Sequence, residues 1–273
     1  MKETLHIKIL GPLSLRLGSS EATPSAKKER RILSLLLLNY SRVVPVSLMI
    51  DELWGAAPPK RALATVQTYI LNIRKSLVRA LRADSKTVYR DLLVTRSGGY
   101  LFNCASVVFD LQEYRKLESA GRKALDAGDD RAAVRSLRRA DNLWDGPPLA
   151  GVELGLPLEV EVTRLNQSRL TAMELRIAAE LRLGRHADIL SELAALALQH
   201  PFHENIHAYL MVALYRSGRR TCALEVFQRL RSKMTAELGL EPSAKLRQLQ
   251  EAILNSMEID NEELSSPRLC SSR

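Results

Sequence analysis

From Asp110 to residue 255 the chain reads as helix almost without interruption, and no other feature constrains its fold as strongly. Apolar residues recur at helical spacing over 110–127, 130–144, 157–183, 186–199, 203–217, 220–237 and 243–255. The breaks fall at "AGDD", "DGPPLAG", "LGR", "HPF", "SGR" and "LGLEPS", rich in the residues that end helices and turn the chain.

Two of the breaks are related. Gly184-Arg185 and Gly218-Arg219 lie 34 residues apart, and Pro201 stands 17 after Gly184. That is the tetratricopeptide period, which predicts stacked helix pairs with a concave surface suited to a protein partner. A plain helical bundle is the alternative. The end of the chain, "SMEIDNEELSSPRLCSSR", is polar and reads as a disordered tail over 256–273.

The first hundred residues differ in pattern and in charge. Residues 1–103 hold 17 Lys and Arg against 7 Asp and Glu, or +10; the other 170 hold 23 against 24, or −1. The net charge of +9 therefore belongs to the first part, which predicts a polyanionic partner for that part only. Two domains follow, 1–103 and 104–255. "LHIKILGPLSLRLG" alternates apolar and polar residues and turns at Gly11-Pro12, as a hairpin does. "SAKKERRILSLLLLNY" carries a buried helical stripe, and "VSLMIDELWG" a second, short helix with Ser47 as N-cap and Gly55 closing it. Pro58 and Pro59 stop any helix there. A third helix runs from near Leu63 to about Arg82, and "TVYRDLLVTRSGGYLFN" reads as two strands joined around Ser97-Gly98-Gly99.

Strands, three helices and a hairpin with a basic residue at its tip describe an α+β winged helix-turn-helix. In "ATVQTYILNIRKSLVRAL" the residues Val66, Ile70, Ile73, Leu77 and Leu81 share one face. The face turned away from them holds Thr68, Leu71, Asn72, Lys75 and Arg79, with Gln67 beside it. A helix built this way suits the major groove, where each base pair shows its own donor and acceptor pattern. Asn72 and Gln67 are each able to contact adenine with two bonds, and the Thr68 methyl suits a thymine methyl. Arg74, Lys75 and Arg79 are placed to meet phosphates.

"ILGPLSLRLG", "RRILSLLLLNYSRVVPVSLMIDELWGAAPP", "ATVQTYILNIRKSL" and "VTRSGGYLF" together resemble the Streptomyces antibiotic regulatory protein (SARP) family, and are similar to the DNA-binding domains of OmpR- and PhoB-type response regulators. That group's recognition helix carries T-V-x-V-x-I-x-x-L-R-K-x-L, matched here by Thr65, Val66, Thr68, Ile70, Ile73, Arg74, Lys75 and Leu77. Its wing, R-G-x-G-Y, is matched by Arg96, Gly98 or Gly99, and Tyr100, with Ser97 where glycine is usual. The resemblance implies a minor-groove contact for Arg96. The sequence departs at Leu71 and Asn72, where response regulators often have arginines, so the resemblance carries over the docking mode but not the base sequence read. No receiver segment stands ahead of the first strand, so regulation by aspartate phosphorylation is not expected. "DLQEYRKLESAGRKALDAGDDRAAVRSLRRADNLWDGPPLAGV" and "AELGLEPSAKLRQLQEAIL" resemble the bacterial transcriptional activator domain that follows the winged helix in SARPs.

What the resemblance implies is a sequence-specific transcriptional activator for an antibiotic or secondary-metabolite gene cluster. It would bind direct repeats in double-stranded promoter DNA, as a homodimer or as tandem copies, and recruit RNA polymerase holoenzyme through sigma and other subunits. The loop before the recognition helix makes Lys60 and Arg61 candidates for polymerase contact. A helical-repeat scaffold whose basic winged helix binds protein or RNA without sequence preference is the competing reading.

No enzyme, cofactor or metal is expected. His200, His203 and His207 are spaced H-x-x-H-x-x-x-H, yet Glu204 is the one acid beside them, short of a three- or four-ligand site. Neither a phosphate-cradling G-x-x-x-x-G-K-[ST] loop nor a G-x-S-x-G elbow occurs. Three distant cysteines, the lack of an 18-residue apolar run and the lack of a signal-peptide pattern lead to an expected cytoplasmic, nucleoid-associated protein away from any membrane.

Overall fold

The apolar–polar alternation of the N-terminal segment becomes β1 (Leu5–Lys8) and β2 (Ser14–Leu17), paired antiparallel with His6 opposite Arg16. Leu5, Ile7 and Leu15 point into the core, while His6, Lys8 and Arg16 stay exposed. β3 (Ser20–Glu21) extends one edge. The other edge is closed by β7 (Val107–Phe109), which runs parallel to β1, so the sheet order is β3-β2-β1-β7. These coordinates are a computed structural model that describes residues 4–81 and 84–256.

Three helices follow the sheet: α1 (Lys27–Leu38), α2 (Val46–Trp54) and α3 (Ala62–Leu81). Between α1 and α2 lies β4 (Val43–Pro45). A short helix, α4 (Ser85–Thr87), runs into a π-helical turn at Val88–Leu92. The hairpin of β5 (Leu93–Arg96) and β6 (Gly99–Phe102) then pairs with β4, giving a second sheet in the order β4-β6-β5. Ser47 does not cap α2. The helix already starts at Val46 behind an extended Pro45, whose fixed φ pre-sets the entry, and no side chain caps it. Gly55 does end that helix, at φ +56°. Arg82, the expected end of α3, and the side chain of Leu81 lie outside the described residues.

The second part is helical throughout: α5 (Asp110–Asp126), α6 (Asp130–Asp141), α7 (Leu156–Arg182), α8 (Leu190–Gln199), α9 (Glu204–Arg216), α10 (Arg220–Leu238) and α11 (Ala244–Leu254). Three of the helix ends share one backbone device. Gly128, Gly184 and Gly218 have φ of +75°, +74° and +75°. The amides of the residues after them, Asp129, Arg185 and Arg219, each reach a carbonyl five residues back, at Ala124, Glu180 and Leu214. These are Schellman caps, and a side chain at the glycine would strain each one. They close α5, α7 and α9, and α9 packs against both α8 and α10.

Two helix boundaries differ from expectation. α8 starts at Leu190 because residues 186–189 are a succession of turns, and α6 ends at Asp141 instead of 144. The second difference has a visible cause. Past Asp141 the backbone leaves the helix to bond with the first sheet's turn: Asp145 N donates to Leu10 O at 2.7 Å, Leu149 N to Ile9 O at 2.9 Å and Ala150 N to Gly11 O at 3.1 Å. Gly11 permits this approach, since a Cβ there would lie 2.6 Å from Asp145 O.

Contacts divide the chain into two compact units. Among the described residues, one contains those up to Leu117 together with Ala140–Arg169; the other contains Glu118–Arg139 and those from Leu170 to Ser256. The change of architecture at 103/104 is thus not where the packing divides. In the first unit, Phe109, Leu111, Tyr114, Trp144, Leu149, Leu158 and Leu165 join the same buried cluster as Ile32, Leu36, Val66 and Ile70. In the second, Ile177, Leu181, Leu193, Met211 and Phe227 form a separate core. That core is laced by a buried ion network, in which Arg176 pairs with Glu180 at 3.1 Å and Arg138 reaches Glu180 at 2.6 Å. The tail expected at 256–273 lies, from residue 257 on, outside the described residues. Among the described residues no helix is long and apolar enough to cross a membrane.

Candidate nucleic-acid interface

Helix α3 begins where the prolines release the chain: Ala62 N donates to Pro59 O at 2.9 Å, and Thr65 N to Arg61 O at 3.0 Å. Val66, Ile70, Ile73 and Leu77 are buried against α1 and α2, fastening the helix by its apolar stripe. Gln67, Thr68, Leu71, Lys75 and Arg79 are exposed, and Thr65 is half-buried. An exposed leucine within this row, Leu71 at 40%, fits a face kept for apolar contact such as a thymine methyl.

The polar side chains are less free than their spacing suggests. The hydroxyls of Thr65 and Thr68 each donate back to the carbonyl four residues earlier, Arg61 O and Ala64 O, both at 3.0 Å. In that state each can still accept a bond, but its proton is taken. Asn72 is half-buried, and its Nδ2 donates to Glu29 Oε1 at 2.8 Å. The two-bond adenine contact expected of Asn72 would require that bond to break.

Arg74 calls for a correction. Expected to meet phosphate, it is instead buried, with 8% of its surface exposed. Its Nε and one terminal nitrogen both donate to Leu93 O, at 3.0 and 2.7 Å, and the latter also reaches Thr95 Oγ1 at 2.9 Å. The guanidinium lies 4.4 Å from the centre of the Tyr89 ring and 5.7 Å from that of Tyr100. Burial pushes its pKa below the usual arginine value, and the two tyrosines act in the opposite sense. The cause is geometric: position 74 follows Ile70 by one turn and precedes Leu77 by three residues, so it borders the buried stripe. Arg74 therefore ties α3 to the hairpin. Arg74→Lys keeps the charge but not the planar fork, and should cost about 1–3 kcal/mol in a urea unfolding experiment. A midpoint equal to wild type would show that the fork holds nothing.

At the hairpin tip Arg96 pairs with Gly99 in the ladder and its side chain is exposed, as is Ser97. Gly98 turns the chain at φ +75°. Its carbonyl accepts from Val46 N at 3.0 Å, which anchors the tip to the start of α2. Gly99 admits no side chain, because a Cβ would lie 2.2 Å from Val44 O. Lys60 and Arg61 are exposed in the loop before α3. None of Lys60, Arg61, Lys75, Arg79 and Arg96 forms an ion pair among the described residues, so their charges face solvent uncompensated. Spacing alone does not reveal Glu29 as a partner of Asn72. Its place on the stripe of Leu33 and Leu36, four and seven residues on, is the signal that it is buried.

His203 Nδ1 lies 3.5 Å from Glu174 Oε1, and burial pushes the His207 pKa down. Among the described residues no group of three metal-ligating side chains is placed to hold an ion.

Residues 109–254 match the family model of the bacterial transcriptional activator domain, and residues 20–102 that of the transcriptional regulatory protein C-terminal domain. The chain is 44% identical over 252 residues to the regulatory protein DnrI of Streptomyces peucetius, covering 92% of this chain and 93% of that one. It is 40% identical over 254 residues to the regulatory protein AfsR of Streptomyces coelicolor, where it spans 24% of that longer protein. A solved structure of Mycobacterium tuberculosis EmbR in complex with a low affinity phosphopeptide superposes with a TM-score of 0.85 at 30% identity, covering 96% of this chain and 68% of that one.

Proposed function

This chain belongs to the SARP family of transcription regulators, and on that premise we propose that it activates a pathway-specific set of antibiotic or secondary-metabolite genes by reading promoter DNA. It acts by binding, not by catalysis, in the cytoplasm with the nucleoid. Helix α3 enters the major groove with Gln67, Thr68, Leu71 and Asn72 toward the bases. Lys75 and Arg79 meet phosphates, Thr65 lies at the edge of the contact, and Arg96 enters the adjacent minor groove. Lys60 and Arg61 face RNA polymerase holoenzyme, and direct repeats are filled by a homodimer or by tandem copies.

The observation that carries this reading is the split of α3 into a fully buried apolar stripe and an exposed face whose cations have no acidic partner among the described residues. A helix in the interior of a scaffold would not leave that face open, and a phosphate backbone supplies the missing counter-charge.

Binding of the full chain to promoter duplex and to random duplex, measured across a salt series, tests it. Lys75→Ala should weaken both alike and flatten the salt slope by about one unit. Arg96→Ala should weaken binding chiefly where A·T-rich flanks narrow the minor groove. Lys60→Ala with Arg61→Ala should leave occupancy near wild type in a footprint while reporter transcription falls. Equal affinity of the wild-type chain for both duplexes would favour the scaffold that binds without sequence preference.

A further inference from the structure

Asn72 has its hydrogen-bonding capacity already divided. Its Nδ2 donates to Glu29 Oε1 at 2.8 Å. A carboxylate only accepts, so chemistry fixes the amide with its nitrogen toward Glu29 and its oxygen away from it. The Oδ1 accepts no bond from any described residue. Glu29 stands in the first turn of α1 at 9% exposure, and among the described residues the Asn72 amide is the one hydrogen bond its side chain makes. Withdrawing that amide would strand a buried carboxylate, a penalty of about ten- to a hundredfold in the equilibrium. The bond therefore persists when a duplex approaches.

We propose that Glu29 is a specificity-determining residue: by holding the NH2 of Asn72, it leaves a lone carbonyl acceptor toward the groove, which selects a base bearing an exocyclic amine. The proposal rests on α3 being the recognition helix. In the major groove adenine offers N6–H and cytosine N4–H as donors. Guanine and thymine present the acceptors O6 and O4, which repel a carbonyl. An unrestrained asparagine would bond adenine at both N6 and N7 and so separate adenine from cytosine. Held by Glu29, Asn72 accepts either amino base and rejects both keto bases. The position read by Asn72 should thus be degenerate in one particular way, A or C.

Selection from a random duplex library with the full-length wild type, Glu29→Ala, Glu29→Gln and Asn72→Ala tests this. The two Glu29 variants lose the same charge, so any gain from weaker phosphate repulsion is common to both. The wild type should return one column restricted to A and C, and Asn72→Ala should flatten that column alone. Glu29→Ala frees the NH2 and should narrow the column to A, with C falling about tenfold. Glu29→Gln can donate or accept, so Asn72 is able to turn over, and G and T should enter. If Glu29→Ala and Glu29→Gln both keep the wild-type column, the proposal is overturned. The same holds if Asn72→Ala leaves a clear motif unchanged. Glu29→Gln is nearly isosteric, which keeps the test decisive should Glu29→Ala fold poorly. A wild-type library without any motif removes the reading of α3 and the proposal with it, whereas an intact motif lacking the A/C column removes the proposal alone.

Discussion

A fragment ending at Asn103 should fail to fold cooperatively, even though it contains all three helices and the wing of the DNA-binding region. Three supports are lost together. β7 leaves the edge of β1, where Leu5 pairs with Val107 and Ile7 with Phe109. Asp110 leaves the amides of Ile9 and Leu10, which it accepts at 2.8 and 2.9 Å. Phe109, Leu111, Tyr114, Trp144, Leu149, Leu158 and Leu165 leave the buried cluster. At about 1.5–3 kcal/mol for each large apolar side chain, the burial lost is comparable to a whole domain's net stability of about 5–15 kcal/mol. Urea unfolding followed by far-UV circular dichroism should show a broad, shallow transition, and the fragment should bind a hydrophobic dye. A steep transition near that of the full chain would mean that residues 104–169 only cover a core that is already complete.

The second large effect is expected at Glu52. This carboxylate lies in α2 at 1% exposure and fixes two other segments. Arg31 of α1 donates its Nε to Oε1 at 2.9 Å, and its NH2 bonds the Glu52 carbonyl. Gly155 N donates to Oε1 at 2.7 Å and Leu158 N to Oε2 at 3.0 Å. Gly155 immediately precedes α7 and Leu158 lies in its first turn, where unpaired N–H groups and the helix dipole both favour an anion. Gly155 is needed for the fit, since a Cβ there would lie 2.1 Å from Glu52 O. Glu52→Ala would leave Arg31, a half-buried cation, without its acid and would orphan both amides. Breaking such a pair costs about 3–5 kcal/mol. The thermal midpoint should fall by on the order of 10 °C. Glu52→Gln keeps one carbonyl acceptor and should fall between wild type and Glu52→Ala. A Glu52→Ala midpoint within about 2 °C of wild type would contradict the role assigned to this carboxylate.

These two sites mark the limit of what local pattern reveals. Val66, Ile70, Ile73 and Leu77 show α3 and its buried face at once, because a helix held by one stripe must repeat it every turn. Gly55, Gly98, Gly128, Gly184 and Gly218 likewise announce their turns, since all five adopt positive φ. The partners of polar groups are not local. Glu52 bonds residues more than 100 positions away, Asn72 one that is 43 away and Arg74 one that is 19 away. Spacing alone assigns Asn72 and Arg74 to solvent because nothing nearby in sequence competes for them. The fold brings Glu29 and Leu93 O into reach, and burial then favours an internal bond over an open one. Ser47 fails as a cap for a similar reason, because with Pro45 at the N-cap the helix starts two residues sooner. The 104–169 segment reads as part of a helical domain by pattern, yet residues 140–169 pack into the first unit because Trp144, Leu149 and Leu158 bury themselves there.

Dimethyl sulfate interference on a selected duplex probes the central claim most directly, since the reagent marks guanine N7 in the major groove and adenine N3 in the minor groove. With the full chain bound, methylation at N7 inside the motif and at N3 in the flank should both block binding, and Arg96→Ala should abolish the N3 effect alone. Binding that tolerates methylation in both grooves, at an affinity no different for unrelated duplexes, would contradict a recognition helix and wing that read DNA.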